Sequence, residues 1–338
     1  VLSGDLGRLL VFAAFVPLLV RQVGDAGFGT YALVMAIFAP VRKIVNFGIF
    51  EATKTLATRG QGNDEKNVIS ASFWLHILLI VLIVPAAAIG VVGLDLGTEL
   101  SAATLIALLA AVGEQVFLFG RAVLHTRRQE AIAEPLIPLR SVILAVVGLT
   151  LAALGFGIPG VFTGYATGFL LTGLLAVWIA YREQGWDVLP SVSTFRTRAT
   201  DLLSFGAPSM GLALLTLGLV KLDVLLVAYF RPPDEVGHYR AALQLAEFIW
   251  TVPIAAQLVM IQSTAAAWKE GHIGQVESVM RQYVKYTLAL TVLLVVGVCA
   301  VGETVGGVYF GPDFDSTVRP LQLLLPGIAG FAVARVVW

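Results

Sequence analysis

Residues 141–181 read SVILAVVGLTLAALGFGIPGVFTGYATGFLLTGLLAVWIAY, a run without a single Asp, Glu, Lys or Arg. A helix needs about 20 mostly apolar residues to cross a ~30 Å hydrocarbon core, so the run is too long for one crossing. At its middle stands Gly155-Phe156-Gly157-Ile158-Pro159-Gly160, whose glycines and proline favour a tight break. The stretch therefore predicts a helical hairpin of two membrane spans. Since helices and closed barrels alone satisfy every backbone N–H and C=O in lipid, the rest of the chain is expected to repeat this solution.

Hydropathy and breaker residues place ten spans, at approximately 4–22, 31–52, 69–93, 101–124, 136–155, 158–181, 205–229, 239–262, 283–302 and 318–338. Composition agrees, with 58% hydrophobic and only 13% charged residues among 338 and a mean hydropathy of +0.87. Such a chain is not a soluble multidomain enzyme, and its net charge of zero argues against a general nucleic-acid binder. Its one cysteine, Cys299, lies in an apolar run and reads as a small helix-packing residue; it rules out an intramolecular disulfide and a Cys-rich metal site.

The loops give the orientation. Those after spans two, four, six and eight carry Lys54, Arg59 and Lys66; Arg121, Arg127 and Arg128; Arg182, Arg196 and Arg198; and Lys269, Arg281 and Lys285. The intervening loops hold Arg21, Arg231 and Arg319 beside acidic residues such as Asp95, Glu99, Asp234, Glu303 and Asp313. By the positive-inside rule the loops after even-numbered spans face the cytoplasm of a cell-membrane protein. The same alternation supports the helix count, because one missed span would scramble it downstream.

The longest polar connection, about residues 182–204, contains Phe195-Arg-Thr-Arg-Ala-Thr-Asp-Leu-Leu203, a segment suited to the interface, and divides residues 1–195 from 196–338. Phe28-Gly-Thr-Tyr31 before span two is echoed by Val236-Gly-His-Tyr239 before span eight. This pattern suggests two parallel six-helix repeats of the kind transporters use. The first lobe is then expected to hold six spans and the second four, an expectation in which two C-terminal helices of twelve or more lie beyond this polypeptide.

Chemistry must reside in the few polar side chains inside the spans. Arg42 and Lys43 fall near the middle of span two, with Asn46 one turn on and Glu51 beyond. A mid-membrane cation costs a few kcal/mol unless it faces protein or water, so this pair leads the candidates, against an alternative in which both snorkel or pair with Glu51. Arg8 in span one and Arg240 opening span eight are placed to reach a cavity between lobes. Lys221 and Asp223 in span seven are too close in sequence to pair across their own helix. Glu114 in span four and Glu247 in span eight are intramembrane carboxylates able to bind a proton or sodium ion, or to neutralise an Arg. His76 reads as a hydrogen-bonded packing residue in span three. Pro17, Pro40, Pro85, Pro208, Pro253 and Pro326 predict kinks. Gly164 and Gly168 form a G-x-x-x-G that permits close helix contact. The sequence holds no Walker loop, zinc-protease motif or nucleophile elbow, so neither an enzyme nor a cofactor is expected.

Several ordered stretches resemble the Wzx-like polysaccharide and oligosaccharide repeat-unit flippases of the multidrug/oligosaccharidyl-lipid/polysaccharide (MOP) exporter superfamily. They are Gly27-Phe-Gly-Thr-Tyr31, Leu203-Ser-Phe-Gly-Ala-Pro208, Val236-Gly-His-Tyr239, and Tyr309-Phe-Gly-Pro-Asp-Phe314 running into Leu321-Gln-Leu-Leu-Leu325. The resemblance implies an all-α polytopic membrane protein with a V-shaped, MATE-like two-lobe bundle around a central cavity. Its implied substrate is an undecaprenyl- or dolichol-type lipid-linked glycan flipped to the outer leaflet by alternating access. Membrane lipids and the glycosyltransferases and polymerase of the same pathway are the implied partners. Arg8, Arg42, Lys43 and Arg240 are the expected phosphate-binding cations, and Asp223, Lys221, Glu247 and Glu114 the expected coupling or counter-ion residues. A multidrug cation antiporter is the nearest alternative, disfavoured by the basic interior. A membrane-embedded glycan polymerase or glycosyltransferase would need a larger outer loop.

Overall fold

The computed structural model describes residues 2–60, 62–94, 97–184, 191–249, 253, 260, 264, 273–311 and 317–337. Its principal elements are the helices α1 (Leu2–Asn46), α2 (Ile49–Arg59), α3 (Asn63–Gly93), α4 (Thr98–Thr126), the single-turn α5 (Glu130–Ala133), α6 (Leu136–Leu151), α7 (Gly157–Gln184), α8 (Val192–Phe230), α9 (Pro233–Ile249), α10 (Ile273–Phe310) and α11 (Val318–Val337). Among the described residues there is no strand.

Six stretches are long and apolar enough to cross a membrane, and two of these, Leu6–Arg59 and Glu130–Glu183, run for 54 residues. At 1.5 Å per residue that is about 80 Å, more than twice the hydrocarbon thickness, so each supplies two crossings. The first is broken at Gly24, whose φ of 70° and ψ of −175° interrupt α1 between spans one and two. The second is broken at Ala152–Phe156, a π-helical segment in which Gly155 has φ 92°, followed by Gly157 at φ 54°. Side chains with a Cβ rarely adopt such angles, which is why the reversal sits on these glycines. The hairpin read from residues 141–181 is thus present, with α6 and α7 packed along each other. Their closeness depends on absent side chains: a Cβ on Gly164 would collide with the backbone of Gly148, and one on Gly168 with Arg140 O.

Spans one to seven and nine each have their helix, and α11 covers span ten. Of span eight, α9 supplies the first part; residues 250–252, 254–259 and 261–262, together with Lys269 in the loop that follows, lie outside the described residues. Two expectations require correction. Residues 195–203 are not a separate interfacial segment but the opening turns of a continuous α8, where Phe195, Ala199, Leu202 and Leu203 pack into a core with Ile49, Leu75 and Phe119. Cys299 is exposed on α10 rather than packed between helices.

The surface and interior are those of a membrane protein. Leu10, Ile89, Leu215 and Leu323 are between 66% and 77% exposed, whereas Thr53, Ser72, His76, Glu114 and Gln115 are buried. Large apolar side chains in such numbers on the outside need lipid to cover them, and the polar ones act between helices.

The chain forms two compact units. The first comprises residues 1–23 and 30–230, the second residues 24–29 and 231–338. Helix α8 belongs to the first because it packs on α2 and α3, and this unit ends at Phe230. In the first unit, α4 lies against α7 with Gly113, Gly120 and Gly173 at the closest approach, and Tyr31 and Tyr165 share a buried hydroxyl–hydroxyl hydrogen bond of 2.7 Å. In the second, α9, α10 and α11 pack together. There the two copies of the Gly-x-Tyr motif meet: a Cβ on Gly29 would strike Pro233 O and Gly237 N, and one on Gly237 would strike Asp25 O and Gly29 N.

Candidate functional site

The cations singled out in span two stand at a broken helix. After Asn46 the backbone leaves the α region for two residues, Phe47 at φ 48° and Gly48 at φ 70°, and helix resumes at Ile49. Span two is therefore discontinuous, which corrects the expected unbroken helix over 31–52. Arg42 and Lys43 occupy the last turns of its first half, where the C-terminal carbonyls favour positive charge. The break is held by α8. A Cβ on Gly206 would overlap Phe47 O, and a Cβ on Gly48 would overlap the Gly206 carbonyl. Gly206→Leu is expected to destabilise the protein by about 1–3 kcal/mol through overpacking. Gly211→Leu on the same helix, where a Cβ meets nothing within 4 Å, is expected to leave the melting temperature near wild type. Equal effects of the two would sink this reading of the crossing.

Around the break lies a cavity of about 260 Å³. Helix α1 contributes Arg42, Lys43 and Asn46; the start of α2 contributes Phe50 and Glu51 beside Gly48; α4 contributes Glu114 and Leu118; and α8 contributes Ser209, Met210 and Ala213. Arg42 Nη1 donates to Glu114 Oε1 at 2.9 Å, with side chains 33% and 11% exposed. Arg42 Nε and Glu114 Oε2 are enclosed without a hydrogen-bond partner, so the pair spends only part of its capacity. Gln115 fixes the helix end: its Oε1 accepts from Asn46 Nδ2 at 3.2 Å, and its Nε2 donates to the Arg42 carbonyl at 3.2 Å. Glu51 is engaged by Lys54 at 2.9 Å and not by Arg42 or Lys43. Lys43, exposed, makes no ion pair among the described residues. With Glu114 answering Arg42 and Lys54 answering Glu51, the cavity keeps the positive charge of Lys43. The first turn of α2 adds amide N–H groups that lack intrahelical acceptors.

The other predicted residues are distributed more widely. Arg8 is exposed on the first half of α1, one residue from Gly7, which packs on Pro138 of α6. Lys221 and Asp223 are half-buried on α8, and Asp223 Oδ1 accepts the backbone N–H of Val224 at 2.8 Å. Arg240 and Glu247 lie in the second unit and join each other across two turns of α9, at 3.1 and 3.4 Å. His76 is buried against the edge of Phe119, with Nδ1 2.8 Å from the Ser72 carbonyl, a helix-packing arrangement.

Sequence reasoning missed Gln115, Arg140 and a polar knot at the end of α4. In that knot Arg121 donates to the buried Glu134 at 2.7 Å, and His125 Nε2 lies 3.3 Å from the same carboxylate. The ring of Phe50, which also lines the cavity, meets His125 edge-on and lies 5.6 Å from the Arg121 guanidinium. Burial, helped by the Arg121 charge, holds His125 below its usual range against the opposing pull of Glu134 and Glu130. Burial alone would raise Glu134, but the Arg121 hydrogen bond and charge prevail and hold it below the usual carboxylate range. Both groups bind protons more weakly folded than unfolded, so their stabilisation is complete above the ordinary His value and is lost as pH falls below it, first through His125 and then through Glu134. Hydrogen exchange of residues 126–135, corrected for intrinsic rate, is expected to quicken between pH 7.5 and 5. Unchanged protection across that range would contradict the electrostatic role of the knot.

Residues 2–259 match the family described as "Polysaccharide biosynthesis protein". No curated protein matches the chain. Among solved structures, an inward-facing multidrug resistance MATE family transporter of the MOP superfamily aligns with a TM-score of 0.66 at 18% identity, over 98% of this chain and 81% of that one. A eukaryotic MATE transporter aligns at 0.55 and 13% identity over 98% and 81%. A MATE protein in the straight conformation aligns at 0.53 and 18% identity over 99% and 79%. At such identities the likeness concerns the fold, which is that of a MATE-type multi-pass membrane protein.

Proposed function

We propose that this chain, a member of the polysaccharide biosynthesis protein family, is a transporter that carries a lipid-linked oligosaccharide across the cell membrane by alternating access. The observation that carries this reading is the cavity at the break of span two, where Arg42, Lys43 and the N-terminal turn of α2 come together within the membrane-spanning unit. A polyprenyl phosphate or diphosphate cannot enter hydrocarbon without something replacing the water around its phosphates. Arg42 offers a fork matched to phosphate oxygens, Lys43 a mobile point charge, and α2 its amide N–H groups. The glycan occupies the hydrated space, and the polyprenyl tail stays among the apolar side chains that already face lipid. The Lys- and Arg-rich loops support a reading in which their end of the cavity opens to the cytoplasm, where the glycan would be loaded.

The cavity chemistry also separates this reading from drug–cation antiport. An organic cation needs a neutral or acidic lining, whereas here both carboxylates are already answered by basic side chains at 2.9 Å. In proteoliposomes, leaflet exchange of a fluorescent polyprenyl-diphosphate sugar is the expected activity. Uptake of an amphiphilic cation with no movement of the sugar lipid would overturn the proposal.

A further inference from the structure

One end of the first unit gathers the starts of α3 and α8 with the ends of α4 and α7. Arg127 at the end of α4 donates to Glu65 in the first turn of α3 at 3.1 Å, and Arg198 near the start of α8 bonds the neighbouring Asp64. A Cβ on Gly113 would meet Leu170, and one on Gly120 would meet Ala176 and Val177. Helices α4 and α7 therefore run parallel, and α7 ends here as well. The carboxylates Asp64, Asp201, Glu65 and Glu134 are held by Arg198, Arg127 and Arg121. Arg59, Lys66, Arg128, Arg182 and Arg196 make no ion pair among the described residues. They outnumber the carboxylates that no Lys or Arg holds at this end, Glu130, 3.9 Å from His125, and the exposed Glu183.

Helix α7 joins this basic end to the lipid-facing surface. Its outward face carries Leu171, Leu174, Leu175, Trp178, Tyr181 and Arg182, all exposed and three or four residues apart, so they form one stripe. The stripe passes from aliphatic to aromatic to cationic, the order in which a bilayer passes from acyl chains through the interface to phosphate. The Arg182 guanidinium lies 5.5 Å from the ring centroid of Trp178. The ring orders the cation but takes up little of its hydrogen-bonding capacity, so its N–H donors stay available.

We propose that this end of the first unit is a docking surface for anionic phospholipids, with Trp178 and Arg182 as its best-formed headgroup site. A zwitterionic headgroup carries its own ammonium, which competes with Arg182 for the phosphate. An anionic headgroup has no such competitor and is drawn by the remaining cations too. An acidic protein would meet the same charges, but a phospholipid also covers the leucines that lead up to Trp178. None of the five cations lines the cavity at the break of span two, so this surface is distinct from the one proposed for the transported lipid.

The test uses the purified full chain in bilayers containing brominated phosphatidylglycerol or brominated phosphatidylcholine. Quenching of Trp178 is isolated as the fluorescence difference between each protein and its Trp178→Phe counterpart. Phosphatidylglycerol is expected to associate about fivefold more strongly than phosphatidylcholine at this site, a preference that fades in about 1 M salt. Arg182→Gln is expected to reduce it to less than about twofold, and Arg182→Lys to retain most of it. Quenching by phosphatidylcholine is expected to stay the same in both variants, which shows that α7 is still folded and facing lipid. Arg281→Gln/Glu277→Gln, which removes an exposed ion pair of α10, is expected to leave the preference unchanged. Trp178 quenched by neither lipid, no preference in wild type, or a preference that survives Arg182→Gln would overturn the proposal. Binding of polyglutamate without any lipid preference would give the surface to an acidic protein and overturn it as well. Each of these outcomes leaves the transporter reading intact.

Discussion

Arg42→Leu is expected to reduce transport of a polyprenyl-diphosphate sugar by at least about 100-fold, the largest effect of any single substitution in this chain. The phosphate must exchange water for fixed donors, and a charge-assisted bidentate pair with Arg contributes about 1.5–3 kcal/mol in the bound state. More is lost during crossing, when water is least available. The same substitution leaves Glu114, 11% exposed, without its cation, and breaking such a pair from one side costs about 3 kcal/mol of stability. Lost transport could then be mistaken for lost folding. The double variant Arg42→Leu/Glu114→Leu separates the two, since replacing both partners by apolar groups is close to neutral for stability. It is expected to melt near wild type and still fail to transport. Recovered transport in the double variant would mean that Arg42 serves only to neutralise Glu114.

Glu114→Gln is the second large effect, and it runs in opposite directions for binding and turnover. In the structure the Glu114 carboxylate engages Arg42 at 2.9 Å, so an incoming phosphate competes with it for the guanidinium, and on release the carboxylate has Arg42 to itself again. Glutamine keeps the shape and removes the charge. Headgroup affinity is expected to rise about tenfold, in line with the loss of a competing charged hydrogen bond. Transport is expected to slow by about the same factor as release becomes limiting. A variant that binds more weakly than wild type would show that Glu114 orients Arg42 instead of competing for it.

What the sequence discloses and what it conceals can be followed residue by residue. The reversal at Gly155–Gly157 is legible because an uncharged run of such length has to turn, and glycines with φ of 92° and 54° are where it does so. The break at Phe47–Gly48 is not legible in the same way. Phe47 reaches a positive φ although it carries a side chain, and what fits around that conformation is Gly206, which comes from another helix. Arg42 and Glu114 are each conspicuous as charges within spans, but their pairing joins positions 72 residues apart and follows only from the packing of α1 on α4. Arg240 and Glu247 are a contrary case: seven residues is close to two helical turns, so their contact follows from spacing alone. Arg140 escapes notice because it lies in the first turns of a span, where a basic side chain ordinarily snorkels to the interface. Its interior position depends on the rings of Phe117 on α4 and Phe169 on α7.

The central claim is that an anionic lipid headgroup binds in the first unit, at the break of span two. A photoactivatable polyprenyl diphosphate, cross-linked to the full chain in membranes and mapped by peptide sequencing, addresses it directly. Labelling concentrated in residues 42–51 and 114–118, competed by unlabelled diphosphate lipid and lost in Arg42→Leu, is the expected result. Labelling confined to the lipid-facing leucines, or unaffected by the competitor, would contradict it.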